Sequence, residues 1–239
     1  WRQRKVLTSM KFPIVYLLFL PFFLPAQATG LLLQLTGAEG IQQYKIVRKL
    51  QRLPLEDFTE ADRDQLADLL VDPAFIYRDQ LMLLAGYLQM GEALRNMPTD
   101  LYSTEKLRRS HGLALVRAGD ERKTQQLVRK IKGMPYDDTF TYDLVPLLIY
   151  THSRPVYDHL IELILETNNN CKPADPHAEG AIDCGYRLME YLAPVLVDYP
   201  FKVGSSGDLE VDDYRAALDE VRTWLRRHRK DYQIVTNQF

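Results

Sequence analysis

Residues 114–131 read ALVRAGDERKTQQLVRKI, and residues 147–164, which lie 33 positions further along the chain, read LLIYTHSRPVYDHLIELI. Each stretch has an apolar run, a short polar turn and a second segment with the pattern L-[VI]-x-x-I, at residues 127–131 and 160–164. A helical hairpin of this size does not bury its apolar stripe alone. The repeated pattern therefore predicts stacked hairpins that share a continuous core.

Helical patterns continue along most of the chain. Thr59 is followed three residues later by Asp62, which predicts a capping box at the start of a helix over residues 59–71. Further predicted helices cover residues 39–52, 73–97, 104–118, 121–132, 138–151, 155–167, 179–197 and 208–230, the last packed on the body after a flexible Gly/Ser-rich link at residues 200–207. We find neither a strand pair nor a strand–helix–strand alternation, so the predicted fold class is all-α, with stacked antiparallel helical hairpins.

Two of these helices carry further expectations. The helix over residues 73–97 is apolar nearly all round, which indicates burial between neighbours. A fainter echo of the repeat aligns its Gly86 with Gly119. In the helix over residues 39–52, four apolar residues spaced by three are expected to face the core, namely Ile41, Tyr44, Val47 and Leu50.

The run from Ala114 through the turn Gly119-Asp120 to Ile131 resembles the HEAT-like repeats of α-solenoid proteins, in which the first helix ends in a Gly-Asp turn. The resemblance covers two repeats, at about residues 104–167, and the second copy has His152-Ser153 in place of Gly-Asp. It implies an extended helical surface that binds another macromolecule. It implies no particular reaction, because such scaffolds serve many roles.

Residues 1–28 differ in charge from the rest of the chain. The 239 residues include 30 Lys and Arg against 32 Asp and Glu, and residues 1–28 hold four of the basic residues and no acid. The remainder therefore has 26 basic against 32 acidic residues, a net charge of −6. This acidic balance disfavours nucleic-acid binding, which usually needs a basic face.

Residues 12–24 form an uncharged apolar stretch, and Ala26-Gln27-Ala28 follows shortly after it. This pattern predicts a secretory signal peptide that begins near Met10 and is cleaved after Ala28, with residues 1–9 upstream of the true start. A membrane anchor is the alternative, but the stretch is shorter than the roughly 20 apolar residues of a spanning helix and contains prolines. We therefore expect one helical repeat domain at residues 29–239, exported to the bacterial periplasm or outside the cell, with no stable membrane span after cleavage.

Cys171 and Cys184 are 13 positions apart and flank a turn-rich loop. In an oxidising compartment they are expected to form a disulfide, which stabilises a fold by roughly 3 kcal/mol for a loop of this length. A metal site that also uses His177 is the alternative, but it lacks a Cys-x-x-Cys pair and a fourth ligand. We predict no metal and no other cofactor.

The common phosphate-binding, dinucleotide-binding, hydrolase and zincin motifs are absent from the sequence. The favoured interpretation is a non-enzymatic binding or scaffold protein that mediates protein–protein interaction with an unidentified partner. Its predicted working surface runs along the stacked helices through Arg117, Arg122, Tyr150, Arg154 and Tyr157. A basic cluster around the repeat turn shares two of these residues and also includes Arg108, Arg109 and Lys123.

Two alternatives stay open. The first is a metal-dependent hydrolase-type enzyme that uses His152, Asp158 and His159; otherwise His152 occupies a turn and the other two face solvent. The second is a peripheral membrane-surface protein that uses the basic residues near Trp224 in the last helix, which are Arg222, Arg226, Arg227, Arg229 and Lys230.

Overall fold

A computed structural model of the chain describes residues 27–166, 171–172 and 181–239. The predicted signal peptide lies outside these residues except for its last two, and His177 lies outside them as well. The α-helices of the described residues are α1 (Gln27–Thr36), α2 (Ile41–Leu50), α3 (Glu60–Val71), α4 (Arg78–Tyr87), α5 (Gly91–Arg95), α6 (Glu105–Arg117), α7 (Glu121–Lys132), α8 (Val145–Tyr150), α9 (Arg154–Leu165), α10 (Gly185–Leu192) and α11 (Tyr214–His228). A π-helical turn, Thr139–Leu144, leads into α8. The described residues form isolated β-bridges but no strand, which confirms the all-α class.

The helices alternate between two rows. In one row α2 contacts α4, α4 contacts α6, α6 contacts α8 and α8 contacts α10. In the other row α1 contacts α3, α3 contacts α5, α7 contacts α9 and α9 contacts α11. Helices that follow each other in the chain connect the rows, as α6 does with α7 and α8 with α9. The resemblance to HEAT-like repeats stays a prediction beside these contacts.

The apolar core has two clusters that meet in α6. One cluster takes its buried side chains from residues 28–115 and the other from residues 116–232. Consecutive α6 residues divide between them, because Ala114 and Leu115 belong to the first cluster and Val116 to the second. α6 therefore connects the two halves of the domain.

The turns between paired helices have a left-handed residue. Gly119 has φ 84° and His152, which aligns with it at a distance of 33 residues, has φ 44°. A third such turn contains Gln89, with φ 60°. The N–H of Met90 bonds to the Ala85 carbonyl there, as the N–H of Asp120 bonds to the Leu115 carbonyl. The residue equivalent to Gly119 in this turn is therefore Gln89, which lies 30 positions earlier. The predicted alignment of Gly86 with Gly119 is displaced from it by three residues.

Local sequence signals hold at several helix ends. Thr59 and Asp62 form the predicted capping box of α3, and Asp213 caps α11 by accepting bonds from two backbone N–H groups.

Cys171 and Cys184 form the predicted disulfide, with their Cα atoms 5.0 Å apart. The backbone of Cys171 also exchanges two hydrogen bonds with Ile182, so the disulfide lies beside a short paired segment.

Two helix predictions are wrong in part. The stretch 73–97 is two helices, α4 and α5. Before α4 the Asp72 carboxylate accepts from the Ala74 N–H and holds a turn, and after α4 the left-handed φ of Gln89 interrupts the helix.

In α2 the side chain of Ile41 is 53% exposed and that of Tyr44 is 37% exposed. Spacings of three drift around a helix of 3.6 residues per turn. The buried residues are instead Gln43, Ile46, Val47 and Leu50, in which the first and the last each lie three and four positions from the middle two.

The last third of the chain is more irregular than the sequence predicts. α10 ends at Leu192 because residues 195–197 pair with the segment that follows α11. The Gly/Ser-rich link is a turn closed by backbone bonds, in which the Gly204 N–H donates to Asp208 and the Glu210 N–H donates to Lys202. α11 is shorter than the predicted 208–230, and its middle residues Leu218, Val221 and Leu225 are buried as its pattern predicts.

Candidate functional site

The five residues of the predicted working surface do not form one open surface. Arg117 and Tyr157 are buried, Tyr150 is half-buried, and Arg122 and Arg154 are exposed. Arg117 lies over the Tyr150 ring at 5.7 Å and donates a 3.0 Å hydrogen bond to the Tyr150 carbonyl. Arg122 makes no hydrogen bond or ion pair with the other four within the described residues.

Most of this surface is covered by residues 231–239 of the same chain. This segment 231–239 leaves α11 and returns across α9, α8, α6 and α4 to the first half of the domain. We name the surface beneath it the Arg117 trough, which is formed by Leu53, Leu55, Tyr87, Arg117, Tyr150 and Arg154. The prediction of one working surface through all five residues is therefore wrong for the chain as folded, because the segment covers Arg117 and Tyr150 while Arg122 lies apart from the trough. That these residues bind a partner stays a prediction.

Arg117 is the central contact of the Arg117 trough. Its guanidinium donates to the Gln238 carbonyl at 2.7 Å and to the Thr236 carbonyl at 3.4 Å. Burial lowers the pKa of this guanidinium below its usual range. No carboxylate pairs with it among the described residues, so backbone carbonyls and the rings of Tyr87 and Tyr150 stabilise its charge.

Each end of segment 231–239 has its own anchor. At one end Arg154 donates to the Tyr232 carbonyl at 3.1 Å and lies 4.0 Å from the Tyr232 ring centroid. At the other end the Asn237 side chain accepts from the Leu55 N–H at 3.1 Å. The ring of Phe239 lies against Tyr87 and Tyr150, at centroid distances of 5.7 and 5.4 Å.

A second surface is open. A groove of about 560 Å³ lies between α6 and α7, and we name it the α6–α7 groove. Its buried floor consists of Leu113, Val116 and Ile131, with Leu127 and Leu144 half-buried beside them. Its rim carries four basic and two acidic residues, which are Arg108, Arg109, Lys123, Lys130, Glu105 and Asp143.

The basic side of this rim lacks ion pairs. Within the described residues, Arg109, Lys123 and Lys130 make no salt bridge, and Arg108 donates to the backbone carbonyl of Ser103. The residues of α6 that line the groove are spaced by three and four, so they share one helix face. The basic cluster predicted around the repeat turn is therefore divided. Arg108, Arg109 and Lys123 line the groove, Arg117 lies in the Arg117 trough, and Arg122 does not line the groove.

The alternative enzyme residues do not converge on one point. Asp158 accepts a 2.9 Å bond from the Tyr232 hydroxyl, whereas His159 is buried near Phe140 and Glu162. The expectation that His159 faces solvent is therefore wrong. His152 occupies a turn, as expected, and burial together with the nearby Arg117 charge lowers its pKa to about 4. No three His, Cys, Asp or Glu side chains in the described parts of the chain are grouped so that they could hold a metal ion.

The basic residues of α11 also separate. Arg222 is buried and donates to the Ile164 carbonyl at 2.8 Å and to the Asp183 carboxylate at 2.5 Å. Trp224 packs against His228, with 4.6 Å between the ring centroids. Arg222 is thus taken up within the fold, while Trp224 stays half-buried and the other four basic residues are exposed. No helix in the described part of the chain is both long and apolar enough to cross a membrane.

The sequence has few signals that mark these two surfaces. The α6–α7 groove could be found from the basic residues that flank apolar positions in α6 and α7. Segment 231–239 has no helical periodicity from which its contacts with α4, α6, α8 and α9 could be predicted. Comparisons with protein-family models, with curated proteins and with solved structures found no match for this chain.

Proposed function

We propose that this chain is an exported, non-enzymatic protein-binding module, and that it holds an acidic, amphipathic helix of a partner protein in the α6–α7 groove. The observation that supports this function is the apolar floor of the groove beneath a basic rim without ion pairs. A helix with one apolar face would cover Leu127 and Leu144, and its carboxylates would reach Arg109 and Lys130. Charge complementarity of this kind contributes to the association rate and to specificity.

Export is part of the proposal for two reasons. The Cys171–Cys184 disulfide is of the kind that persists in oxidising compartments. The predicted signal peptide would deliver the chain to such a compartment. His152, Asp158 and His159 do not converge on one point, so they do not support the enzyme alternative. Of the basic residues near Trp224, Arg222 is buried and the other four are exposed, so the membrane-surface alternative stays a prediction.

The test is a selection from a library of helical peptides of mixed charge, with the oxidised full chain as target. We expect the recovered peptides to be amphipathic and rich in Asp and Glu. A variant with Arg109→Glu and Lys130→Glu should bind them at least about tenfold more weakly. The matched control is Arg226→Glu with Arg227→Glu, which reverses two exposed charges on α11 and should change little.

A second variant tests the groove without a change of charge. A Cβ at Gly112 would meet no atom within 4 Å, so the side chain of Gly112→Leu would extend into the groove. Leu also favours helix over Gly, so the fold should persist. Peptides that bind Gly112→Leu as well as they bind the parent chain, or that show no acidic bias, would contradict the proposed function.

A further inference from the structure

We infer that the Arg117 trough is a second peptide-binding site, for an extended peptide with Asn two residues before an aromatic residue and a carboxylate after it. Segment 231–239 occupies this site in the isolated chain. The site differs from the α6–α7 groove, and no residue lines both the groove and the cavity at the end of the trough. Its test is therefore independent of the proposed function.

The contacts of the trough are directed mainly at backbone. Arg117 and Arg154 donate to carbonyl groups of segment 231–239. The segment also pairs with residues 195–197, since the Val235 N–H donates to Val195 at 2.9 Å and the Val197 N–H donates to Gln233 at 3.0 Å. Bonds to backbone accept any extended chain, and side-chain pockets then select its sequence.

Two side chains of segment 231–239 supply the selective contacts. The Asn237 side-chain amide accepts from the Leu55 N–H and donates to the Glu56 carboxylate at 3.0 Å, so it uses both its acceptor and its donor here. Phe239 places its ring beside Tyr87 and Tyr150. An aromatic residue two positions after an Asn therefore fits this end of the trough.

The trough continues into a cavity beside Phe239. This cavity has a volume of about 360 Å³, and its wall includes Arg48, Arg52, Gln51 and Pro54. Within the described residues Arg52 has no ion pair, and Arg48 bonds only to the neutral Gln51 side chain at 2.8 Å. A carboxylate that follows the aromatic residue would meet two guanidinium groups there.

Segment 231–239 is also suited to displacement. Thr236, Asn237 and Gln238 are exposed, although the carbonyls of Thr236 and Gln238 and the side chain of Asn237 bond to the trough. Arg117 is held independently of the segment, through its bond to the Tyr150 carbonyl. Tyr150 is itself fixed by a 2.6 Å bond from its hydroxyl to the Leu83 carbonyl. The trough is therefore preorganised, and a competing ligand would have to displace only the segment.

The test uses a fluorescent peptide of sequence DYQIVTNQFE, which is residues 231–239 followed by Glu. Its affinity is measured for the wild-type full chain and for a full chain with Asn237→Ala and Phe239→Ala. We expect at least about tenfold tighter binding to the variant, because apparent affinity rises with the fraction of chains whose site is accessible. Adding Arg117→Lys to that variant should abolish the gain, and a peptide that ends at Phe as a carboxamide, which has no carboxylate after the ring, should bind more weakly.

Two further measurements complete the test. The Arg109→Glu and Lys130→Glu chain serves as a control and should bind the peptide as the wild type does, which separates this site from the α6–α7 groove. In the wild-type chain, saturating peptide should speed hydrogen exchange at the amide of Val235, because the displaced segment loses its bond to the Val195 carbonyl. Equal peptide affinity in wild type and variant, or unchanged exchange at this amide, would overturn the inference.

Discussion

Gly86 and Gly112 offer a matched pair of substitutions that measures how closely α4 and α6 approach. A Cβ added at Gly86 would lie 2.4 Å from the Tyr150 hydroxyl oxygen and 2.7 Å from both the Cα and the carbonyl oxygen of Ala114. The Tyr150 hydroxyl can move, but the Ala114 backbone is part of the α6 core. Gly86→Ala therefore forces the two helices apart, whereas a Cβ at Gly112 meets nothing within 4 Å.

The two changes should alter the free energy of unfolding in opposite directions. Ala stabilises a helix relative to Gly by roughly 0.5–1 kcal/mol, and this gain applies at both sites. At Gly86 overpacking costs about 1–3 kcal/mol. Displacement of the Tyr150 hydroxyl from the Leu83 carbonyl costs about 1 kcal/mol more. We expect Gly112→Ala to stabilise the protein by roughly 0.5–1 kcal/mol and Gly86→Ala to destabilise it by about 1–3 kcal/mol.

The assay is urea unfolding of the oxidised chain, followed by circular dichroism at a wavelength that reports helix. The quantity compared is the midpoint concentration, at a common slope, for the parent and both variants. Gly112→Ala is the internal control for helix propensity. If both variants shift the midpoint upward by the same amount, α4 and α6 are not in backbone contact, and the role assigned to α6 in joining the two halves of the core is wrong.

Two further predictions concern the disulfide and the half-buried His152. Denatured, unreduced protein should have almost no free thiol, and a Cys171→Ser, Cys184→Ser chain should lose roughly 3 kcal/mol of stability; two reactive thiols in the parent would contradict the pairing. Because the pKa of His152 falls from its usual 6.5 to about 4 on folding, the unfolded chain binds the proton more tightly. Its contribution to stability should therefore be complete above about pH 6.5 and lost as pH falls towards 4. In His152→Asn, which tolerates the left-handed φ of 44°, this dependence should flatten in urea titrations at several pH values; an unchanged slope would assign the titration to another group.

Sequence patterns that act over a few residues predict this fold well. The capping box at Thr59 depends on a residue three positions away, and the α11 stripe depends on spacings of three and four. The disulfide also joins cysteines only 13 positions apart. Each of these contacts is decided by neighbours in the chain, so the local pattern contains the information that fixes it.

Predictions fail where distant residues decide the outcome. α10 ends at Leu192 because the backbone at residues 195–197 pairs with segment 231–239, about 40 positions later in the sequence. In the same way, Arg117 and Tyr150 were expected to form an open surface, and segment 231–239 covers it. Neither partner of such a contact has a periodic pattern that identifies the other.

The burial of Arg117 nevertheless follows from a signal that the sequence contains. Arg117 is three residues after Ala114 and four after Leu113, so it shares a helix face with two apolar residues that are buried. A guanidinium on a buried face needs acceptors, because an unpaired buried charge is strongly destabilising. With no carboxylate bound to Arg117 in the described chain, those acceptors are carbonyl groups of Tyr150, Thr236 and Gln238. An arginine in this position therefore requires acceptors opposite it, and the extended backbone of segment 231–239 supplies two of them. Whether that backbone must come from the same chain is the question that the peptide experiment decides.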